Sequence, residues 1–427
     1  MSIPQLSVGQ YDLIFKATSK QDNGDVWASA KSILFTVTED SIIEGWKENV
    51  PSMAPAVRPD GKRSEFYLDP LSADYGKIEQ NGVNNVDGEA STMATVTLSG
   101  NWSFYTKSGS TKGIRNARVE VLYRDQFYIW RTIATTYTSA YSGDWSVSYT
   151  PPSNHNYWEV RVYSTSSNAT VKNASGGLYY SFTNYLNLAN GENIGTWIVS
   201  SGTNTEKAMW VYDDAITSRN FLILGGKDPG SLNNIYWDAS TTGTSYHSSG
   251  SIYLNKDAPG TSVPIHEMGH NFMYNLYGSM PPSNCPNPHT IQGKSNTGCA
   301  WVEGWAEFLP LAVTYNPTYY YGSGGSLNLE NTSSFQPGDS GDDVEGRVAG
   351  ALWDLYDSEN DGTDTRNYSF SSIYRAMWDG SKNTFSDWWS KWKSLGYDSD
   401  AKYSIQQNGI AVFRFAVVFF LFLGVRR

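Results

Sequence analysis

The sequence predicts a multidomain protein in which all-β sandwich modules precede an α+β domain with a helical C-terminal half. Two segments, residues 1–38 and 93–185, alternate apolar and polar side chains with a period of two, as half-buried strands do. From about residue 186 this alternation gives way to longer segments with the period of a helix. The length of 427 residues is enough for two or three domains.

The composition indicates a packed protein and not a disordered one. Aromatic residues make up 15% of the chain and charged residues only 17%, so a substantial core can form. The formal net charge of −11 disfavours binding to nucleic acid or to an anionic membrane, because both require basic surface. This balance is typical of β-rich extracellular proteins, and we expect an extracellular or cell-surface location.

The first 92 residues predict a partial domain followed by a linker. Two alternating runs within residues 1–38 flank a turn-forming segment at 21–25, and together they resemble the last hairpin of an immunoglobulin-like sandwich. Residues 39–92 mix Pro, Gly, Asp and Asn with little periodicity, as a linker does. The N-terminus lacks the basic and apolar regions of a signal peptide, so we expect a fragment or a misassigned start.

Residues 93–185 predict a small β-sandwich domain. Turn residues separate four runs that alternate with a period of two, at 95–99, 117–123, 130–134 and 157–163. The order of the strand Arg-Val-Glu-Val at 118–121, then Thr-Tyr-Thr-Ser at 136–139 and Ser-Gly-Asp-Trp-Ser-Val at 142–147, resembles the transthyretin-like accessory modules of secreted enzymes. This resemblance implies a fold and says nothing about activity.

Residues 186–408 predict the α+β domain. Helices are expected at 206–221, 263–277, 300–309, 343–357, 370–378 and 384–394, with a short strand at 252–255. The helix at 263–277 has signals at both ends, namely Thr261 or Ser262 as its cap, Pro264 in its first turn and Gly278 after its last residue.

The helix at 263–277 carries the sequence His266-Glu267-Met268-Gly269-His270. Positions i and i+4 of a helix face the same side, so the two His can bind one zinc ion at about 2 Å. Glu267 would then accept a proton from water beside the metal. A helix that carries these side chains for structural reasons and an inactive relative that keeps the motif are the alternatives.

A third ligand defines the class of such a metal site. A metzincin would carry Gly and His where this chain has Met273 and Leu276. The segment 301–308, Trp-Val-Glu-Gly-Trp-Ala-Glu-Phe, instead resembles the second motif of the gluzincins, the thermolysin- and aminopeptidase-N-like clan of zinc metallopeptidases. The resemblance implies that Glu303 is the third zinc ligand and that Glu307 hydrogen-bonds a ligating His. A solvated acidic helix face is the alternative.

These motifs predict a secreted zinc metallopeptidase that hydrolyses peptide bonds, with Glu267 as the general base. Gluzincin aminopeptidases carry Gly-X-Met-Glu-Asn ahead of the zinc motif, and no such sequence precedes His266. Residues 244–254 resemble an edge strand that can pair with an extended peptide, so we expect an endopeptidase acting on a protein or peptide substrate. An aminopeptidase and an inactive surface adhesion protein with the same fold are the alternatives.

A peptidase of this kind also needs a side chain that stabilises the oxyanion. The sequence offers four candidates without choosing among them: Arg347, Tyr356, His247 and His289. His289 lies between the two cysteines of the chain, Cys285 and Cys299. They predict one local disulfide in an oxidising compartment or, alternatively, two buried free thiols.

An acidic segment at the end of the helix at 343–357 predicts a calcium site. Asp357, Glu359 and Asp361 occupy the first three ligand positions of an EF-hand-like loop, and Gly362 occupies its glycine position. The closing acidic position holds Tyr368 instead. The sequence is therefore compatible with two interpretations of this segment, a structural calcium site and a plain acidic turn.

The C-terminal tail, residues 409–427, is apolar up to Gly424 and ends in two Arg residues. Arg414 interrupts the apolar stretch, which is shorter than the roughly twenty residues needed to cross a bilayer. A membrane anchor or processed surface-sorting tail fits this pattern, and so does a frameshifted or buried terminus. Attachment to a membrane or cell surface through the tail is thus one expectation.

Overall fold

The computed structural model describes the backbone of four strands between residues 9 and 57 and the residues 94–153, 155, 157–185, 187–332, 335, 341–359, 362–364 and 366–411. The chain divides into two compact units, Met1–Thr217 with Ser231–Gly260, and Ser218–Gly230 with Thr261–Arg427. Among the described residues, strands dominate the first unit and helices the second. A β-rich N-terminal part and a helical C-terminal part are therefore confirmed.

The first unit contains sixteen of the described strands and most of one helix. In chain order the strands are β1 (Gly9–Lys20), β2 (Val26–Val37), β3 (Glu44–Lys47), β4 (Met53–Val57), β5 (Val96–Tyr105), β6 (Thr111–Gly113), β7 (Arg118–Arg124), β8 (Trp130–Tyr137), β9 (Asp144–Tyr149), β10 (Trp158–Tyr163), β11 (Ala169–Lys172), β12 (Tyr180–Tyr185), β13 (Asn193–Val199), β14 (Leu232–Trp237), β15 (Tyr246–Ser248) and β16 (Ser251–Leu254). The helix α1 spans Asn204–Leu224.

These strands form three sheets. The strands β1, β2 and β3 make an antiparallel sheet, and the largest sheet has the order β6-β5-β13-β4-β12-β10-β7-β8 with β9 paired to β5. The third sheet has the order β11-β14-β16-β15, so β15 lies at its edge. Because β13 follows residue 186 and pairs with β5 and β4, the largest sheet extends past residue 185. The five domain ranges given above remain predictions.

Alternation in the central strands explains the core of the largest sheet. Val160 and Val162 of β10 lie opposite Val121 and Val119 of β7 in the antiparallel register, and all four are fully buried. Side chains at alternate positions of a strand share a face, so these pairs stack on the inner face. The run at 157–163 therefore forms the strand that its alternation predicts.

The second unit is built around a nearly fully buried helix. Its helices are α2 (Val263–Tyr277), α3 (Thr297–Thr314), α4 (Glu345–Asp354), α5 (Phe370–Trp378), α6 (Phe385–Ser394) and α7 (Lys402–Gln407), and its hairpin is β17 (Thr318–Tyr320) with β18 (Ser326–Asn328). Helix α3 starts earlier than predicted because the Asn296 side chain accepts hydrogen bonds from the amides of Gly298 and Cys299. Large rings of α3 and α6, including Trp301, Trp305 and Trp388, are fully buried.

Two glycines let the helices of the second unit approach closely. A Cβ atom on Gly269 of α2 would lie only 3.0 Å from Cα of Ala306 in α3. A Cβ atom on Gly304 of α3 would lie 2.7 Å from the carbonyl oxygen of Glu345 and from Cβ of Val348, both in α4. Since real Cβ contacts are longer than this, the absence of a side chain at these positions sets the spacing of α2, α3 and α4.

No helix in the described part of the chain is long and apolar enough to cross a membrane. Residues 412–427, which make up most of the predicted tail, lie outside the described residues. The expected role of the tail in surface attachment therefore stays a prediction.

We expect the substitution Gly304→Ala to lower the free energy of unfolding by about 1–3 kcal/mol, because the new methyl group overpacks the contact between α3 and α4. Alanine is otherwise preferred over glycine inside a helix by about 1 kcal/mol, so the sign of the change is informative. Denaturant unfolding followed by tryptophan fluorescence measures it. The control is Gly243→Ala, where an added Cβ meets no heavy atom within 4 Å, and equal stability of the two variants would contradict the prediction.

Candidate metal centre

Helix α2 presents two imidazoles on one face. Pro264 lies in its first turn, and Gly278 ends it in a left-handed conformation with its amide bonded to the carbonyl of Tyr274. His266 and His270 are one turn apart, with their rings 4.7 Å apart and almost perpendicular. The proline and glycine signals are confirmed, but the expected Ser262 cap is wrong, because its side chain makes no cap hydrogen bond and accepts one from the amide of Tyr320 instead. Oγ1 of Thr261 accepts a hydrogen bond from the amide of Val263 at 3.2 Å.

Helix α3 brings a carboxylate to the same point. The Nε2 atoms of His266 and His270 are 3.1 Å apart. Oε2 of Glu303 lies 3.3 Å from the first nitrogen and 3.1 Å from the second. The three ligand atoms form a nearly equilateral triangle, and they are one of the groups in the described residues that are able to hold a metal ion.

The triangle has the dimensions of one face of a tetrahedral zinc site. Zinc binds imidazole nitrogen and carboxylate oxygen at about 2.0–2.2 Å, which places neighbouring ligand atoms about 3.3 Å apart. The observed edges agree with this spacing without any movement of the side chains. Nδ1 of His266 is buried and has no hydrogen-bond partner among the described residues.

Electrostatic coupling within the triangle favours a cation. Burial would raise the pKa of Glu303, but the two His hold it well below its usual range. Burial opposes protonation of His270, yet the charge of Glu303 outweighs this and raises the pKa of His270 to about 9. A divalent cation at this point would replace that proton, since a ligating imidazole must be neutral.

Glu267 lies beside the triangle and is almost fully buried. Burial raises the pKa of Glu267, and the two neighbouring His act in the opposite direction. A carboxylate with a raised pKa is a stronger base than an exposed one. The environment therefore suits the role of general base that the motif predicts.

Glu307, one turn after Glu303, is also buried. Its Oε2 atom has no hydrogen-bond partner among the described residues. Burial raises the pKa of Glu307 well above its usual range, and the charges of Glu345 and Glu303 raise it further. Burial excludes the solvated acidic face as an explanation of this residue, while its hydrogen bond to a ligating His stays a prediction.

A carboxylate–imidazole pair lies next to the triangle and includes a residue that the sequence did not single out. Nδ1 of His289 is 2.9 Å from Oε1 of Glu345, at the start of α4. Glu345 is fully buried, and burial raises its pKa to about 7 although His289 acts in the opposite direction. An acid in the first turn of a predicted helix ordinarily faces solvent, so the sequence carried no signal for Glu345.

Tyr319 is a second residue near the metal centre that sequence reasoning missed. Its ring lies 6.0 Å from that of His266 and is buried. Hydrogen bonds between Ser262 and Tyr320 hold β17 against the start of α2. Burial, together with the charges of Glu307 and Glu267, raises the pKa of Tyr319 well above its usual range. A three-residue strand is too short to show a period.

The two cysteines form a disulfide beside these groups, so the alternative of two free thiols is wrong. Sγ of Cys285 lies 3.9 Å from Oε1 of Glu303. Sγ of Cys299 lies 3.5 Å from Oε1 of Glu345. The disulfide therefore joins the loop that carries His289 to the first turn of α3.

The other oxyanion candidates make different contacts. The buried Arg347 donates a hydrogen bond from Nη1 to the carbonyl of Asn408 at 3.1 Å. Tyr356 packs among aromatic rings, which include Phe221, Phe308, Phe370 and Trp353. His247 lies on β15 of the first unit and accepts a hydrogen bond from the amide of Gly250. His289 has a ring nitrogen within 4.8 Å of a carboxylate oxygen of Glu303.

The predicted calcium ligands are only partly described. Asp357 is buried and Glu359 is exposed. Asp361 lies outside the described residues. Within the described part of the chain these side chains belong to none of the groups that are able to hold a metal ion, and calcium stays a prediction.

Comparison with known proteins supports a metallopeptidase context. Residues 227–409 match the family model described as the Mycolysin C-terminal domain, which is associated with zinc metallopeptidases. The match covers less than half of the chain, and it includes the triangle, Glu267, the disulfide and the His289–Glu345 pair. No curated protein matches the chain.

One solved structure matches part of the chain. A 9R-lipoxygenase from Cyanothece PCC8801 matches 32% of this chain and 25% of its own at 15% identity, with a TM-score of 0.18. A likeness of this size carries no argument about fold or function.

We expect the substitutions His270→Ala and Glu303→Gln each to weaken zinc binding by about tenfold or more, since even the loss of an outer partner of a ligand costs about 10–100-fold. Competition against a chromophoric chelator measures the affinity. His155→Ala serves as the matched control, because His155 belongs to the first unit and packs on Trp158. Unchanged affinity in both ligand variants would exclude the triangle as the zinc site.

Proposed function

We propose that this protein is a secreted zinc-dependent endopeptidase that hydrolyses peptide bonds in protein or peptide substrates. The triangle of His266, His270 and Glu303, with the buried Glu267 beside it, carries the proposal. These side chains supply three protein ligands and a base, which is the donor set of a catalytic zinc site with an open fourth position. The match to the Mycolysin C-terminal domain supports the same reaction class.

Zinc bound by these residues would supply Lewis acidity toward the carbonyl group and toward water. Glu267 performs the proton transfers: its carboxylate takes a proton from the attacking water and delivers it to the leaving nitrogen. Burial raises the pKa of Glu267, so its carboxylate holds the proton more firmly between the two steps. The same burial keeps bulk water from competing for that proton.

His289 is the side chain that we assign to the oxyanion. Its ring has a nitrogen within 4.8 Å of a carboxylate oxygen of Glu303, and its Nδ1 is bonded to the buried Glu345. The bond between Nδ1 and the carboxyl group of Glu345 orients the imidazole. The other nitrogen, Nε2, can then donate a hydrogen bond to the negative charge that develops on the carbonyl oxygen.

An extracellular location fits the same residues. The Cys285–Cys299 disulfide joins the loop of His289 to α3, and such a bond persists in an oxidising compartment. Substrate binding along an edge strand and attachment through the C-terminal tail belong to the proposal as further expectations.

We expect Glu267→Gln to abolish hydrolysis of casein, with kcat reduced about 10²–10⁴-fold because the general base is lost. The variant should still bind one zinc ion, since Glu267 is not a ligand. Chelation with 1,10-phenanthroline should inhibit the wild-type protein, and added zinc should restore activity. Glu192→Gln makes the same chemical change at an exposed site of the first unit and should be fully active. Full activity of Glu267→Gln would refute the assignment, and activity on amino-acid amides alone would indicate an aminopeptidase.

We expect His289→Ala to lower kcat about 10²–10³-fold, the usual cost of removing one oxyanion donor, with little change in KM and an unchanged zinc content. Glu345→Gln keeps an acceptor for Nδ1 but removes the charge, so it should shift the pH profile of kcat and cause a smaller loss. Tyr356→Phe tests the competing candidate and should be active. A large loss in Tyr356→Phe together with full activity of His289→Ala would reverse the assignment.

A further inference from the structure

The Cys285–Cys299 disulfide lies within two groups of potential metal ligands other than the triangle. Ligand atoms of Cys285, His289 and Glu303 are all within 4.8 Å of one another. The same holds for His289, Cys299 and Glu345. Both sulfur atoms therefore converge on one imidazole, flanked by a carboxylate on each side.

These groups have the composition of a site for a soft divalent cation. Thiolate and imidazole are the donors that zinc and cadmium prefer, and tetrahedral zinc holds such ligands about 3.5–3.8 Å apart. The ligand atoms of each group lie within 4.8 Å of one another, so the nitrogen–sulfur separations need to shorten by at most about 1 Å to reach this spacing, while the two sulfurs move apart once their bond is broken. While the sulfurs are joined in a disulfide they are not ligands, because the thiolate is the species that binds metal.

The loop is held in place by contacts that do not depend on the disulfide. Asn296 Nδ2 donates a hydrogen bond to the carbonyl of Asn284, next to Cys285. On the other side of His289, the amide of Gly346 donates to the carbonyl of Ile291, and the amide of Ser295 donates to the carbonyl of Asp343. These hydrogen bonds hold the loop on both sides of His289, so we expect both thiols to stay close to His289 when the disulfide is opened.

The disulfide is also accessible for reduction from one side. Cys285 is half-buried, whereas Cys299 is fully buried in the first turn of α3. A dithiol reductant would attack the sulfur of Cys285, and the sulfur of Cys299 would leave as a thiolate. The second thiol of the reductant then displaces Cys285, so that two electrons pass to the protein and the reductant is released as its own disulfide.

We propose that reduction of the Cys285–Cys299 disulfide by a dithiol creates a second metal site, in which Cys285, Cys299 and His289 bind one zinc or cadmium ion. Binding releases the two thiol protons. Glu345 either orients the imidazole or supplies a carboxylate oxygen as the fourth ligand of the metal. The inference stands on the cysteine–histidine geometry and does not depend on peptidase activity.

Cadmium titration of the full chain before and after reduction tests the proposal. The protein is reduced with dithiothreitol, freed of reductant without air, and titrated with Cd²⁺ while thiolate-to-cadmium charge-transfer absorption is recorded. Compared with the oxidised protein, the reduced protein should bind one additional equivalent of Cd²⁺ and develop this absorption. This comparison uses the wild-type sequence and needs no variant to fold.

Two variants separate a built site from simple chelation by two thiols. His289→Ala should weaken binding of the additional Cd²⁺ to the reduced protein by about tenfold or more, since even the loss of an outer partner of a ligand costs about 10–100-fold in affinity. The neighbouring control Thr290→Ala should leave this affinity unchanged. The proposal is overturned if the reduced protein binds no additional Cd²⁺, or if His289→Ala binds it as tightly as the wild type. If the oxidised protein binds no Cd²⁺, this result contradicts the metal site of His266, His270 and Glu303. It does not bear on the second site, which forms only after reduction.

Discussion

The metal centre depends on how closely α2 and α3 pack. Its ligands come from two helices, and their atoms lie only 3.1–3.3 Å apart, so a small change in the distance between helices would separate them. Gly269 lies within the His-Glu-X-X-His motif and packs against Ala306 of α3. Ala306 follows Val302 by one turn, and both are buried. Gly304 lets α4 approach from the other side, and α4 brings Glu345. The contacts at these two glycines set the ligand geometry and its surroundings.

A second constraint is the concentration of buried acid around the centre. The carboxylates of Glu267, Glu307 and Glu345 are buried, that of Glu303 is nearly so, and the charge of Glu303 raises the pKa values of the other three. The three nearby imidazoles, His266, His270 and His289, offset only part of this effect. A group of this kind costs stability unless protons or a cation neutralise it. The same excess of acid that opposes folding therefore favours the binding of a divalent ion.

Local patterns explain which parts of the fold and the site could be predicted from the sequence. Helix α2 has its period, its proline and its terminal glycine in one short segment, so its bounds and its two imidazoles follow from adjacent residues. The prediction of Glu303 as a ligand required a second sequence pattern, on α3, and the resemblance of residues 301–308 to the second gluzincin motif supplied it. The disulfide could be predicted because the chain has only two cysteines, which lie close together in sequence.

Residues whose role depends on distant packing were not predictable. Glu345 looks like an ordinary first-turn acid, and only the packing of α4 against Gly304 places it beside His289. Tyr319 belongs to a strand of three residues with no period. Arg347 has the chemistry of an oxyanion donor, yet the fold directs it to the carbonyl of Asn408. In each case the partner comes from a remote part of the chain, and one sequence contains no signal for such a contact.

Helix α3 carries Cys299, Glu303 and Glu307 at intervals of four residues, which places the disulfide, the metal ligand and the buried acid along one face. Residues inserted between α2 and Cys299 lengthen a surface loop at a cost that grows slowly with length. One residue inserted between Cys299 and Glu303 would instead rotate one part of this face by about 100° relative to the other, since a helix has 3.6 residues per turn. The loop can therefore vary in length among related sequences, whereas the spacing along α3 must stay constant.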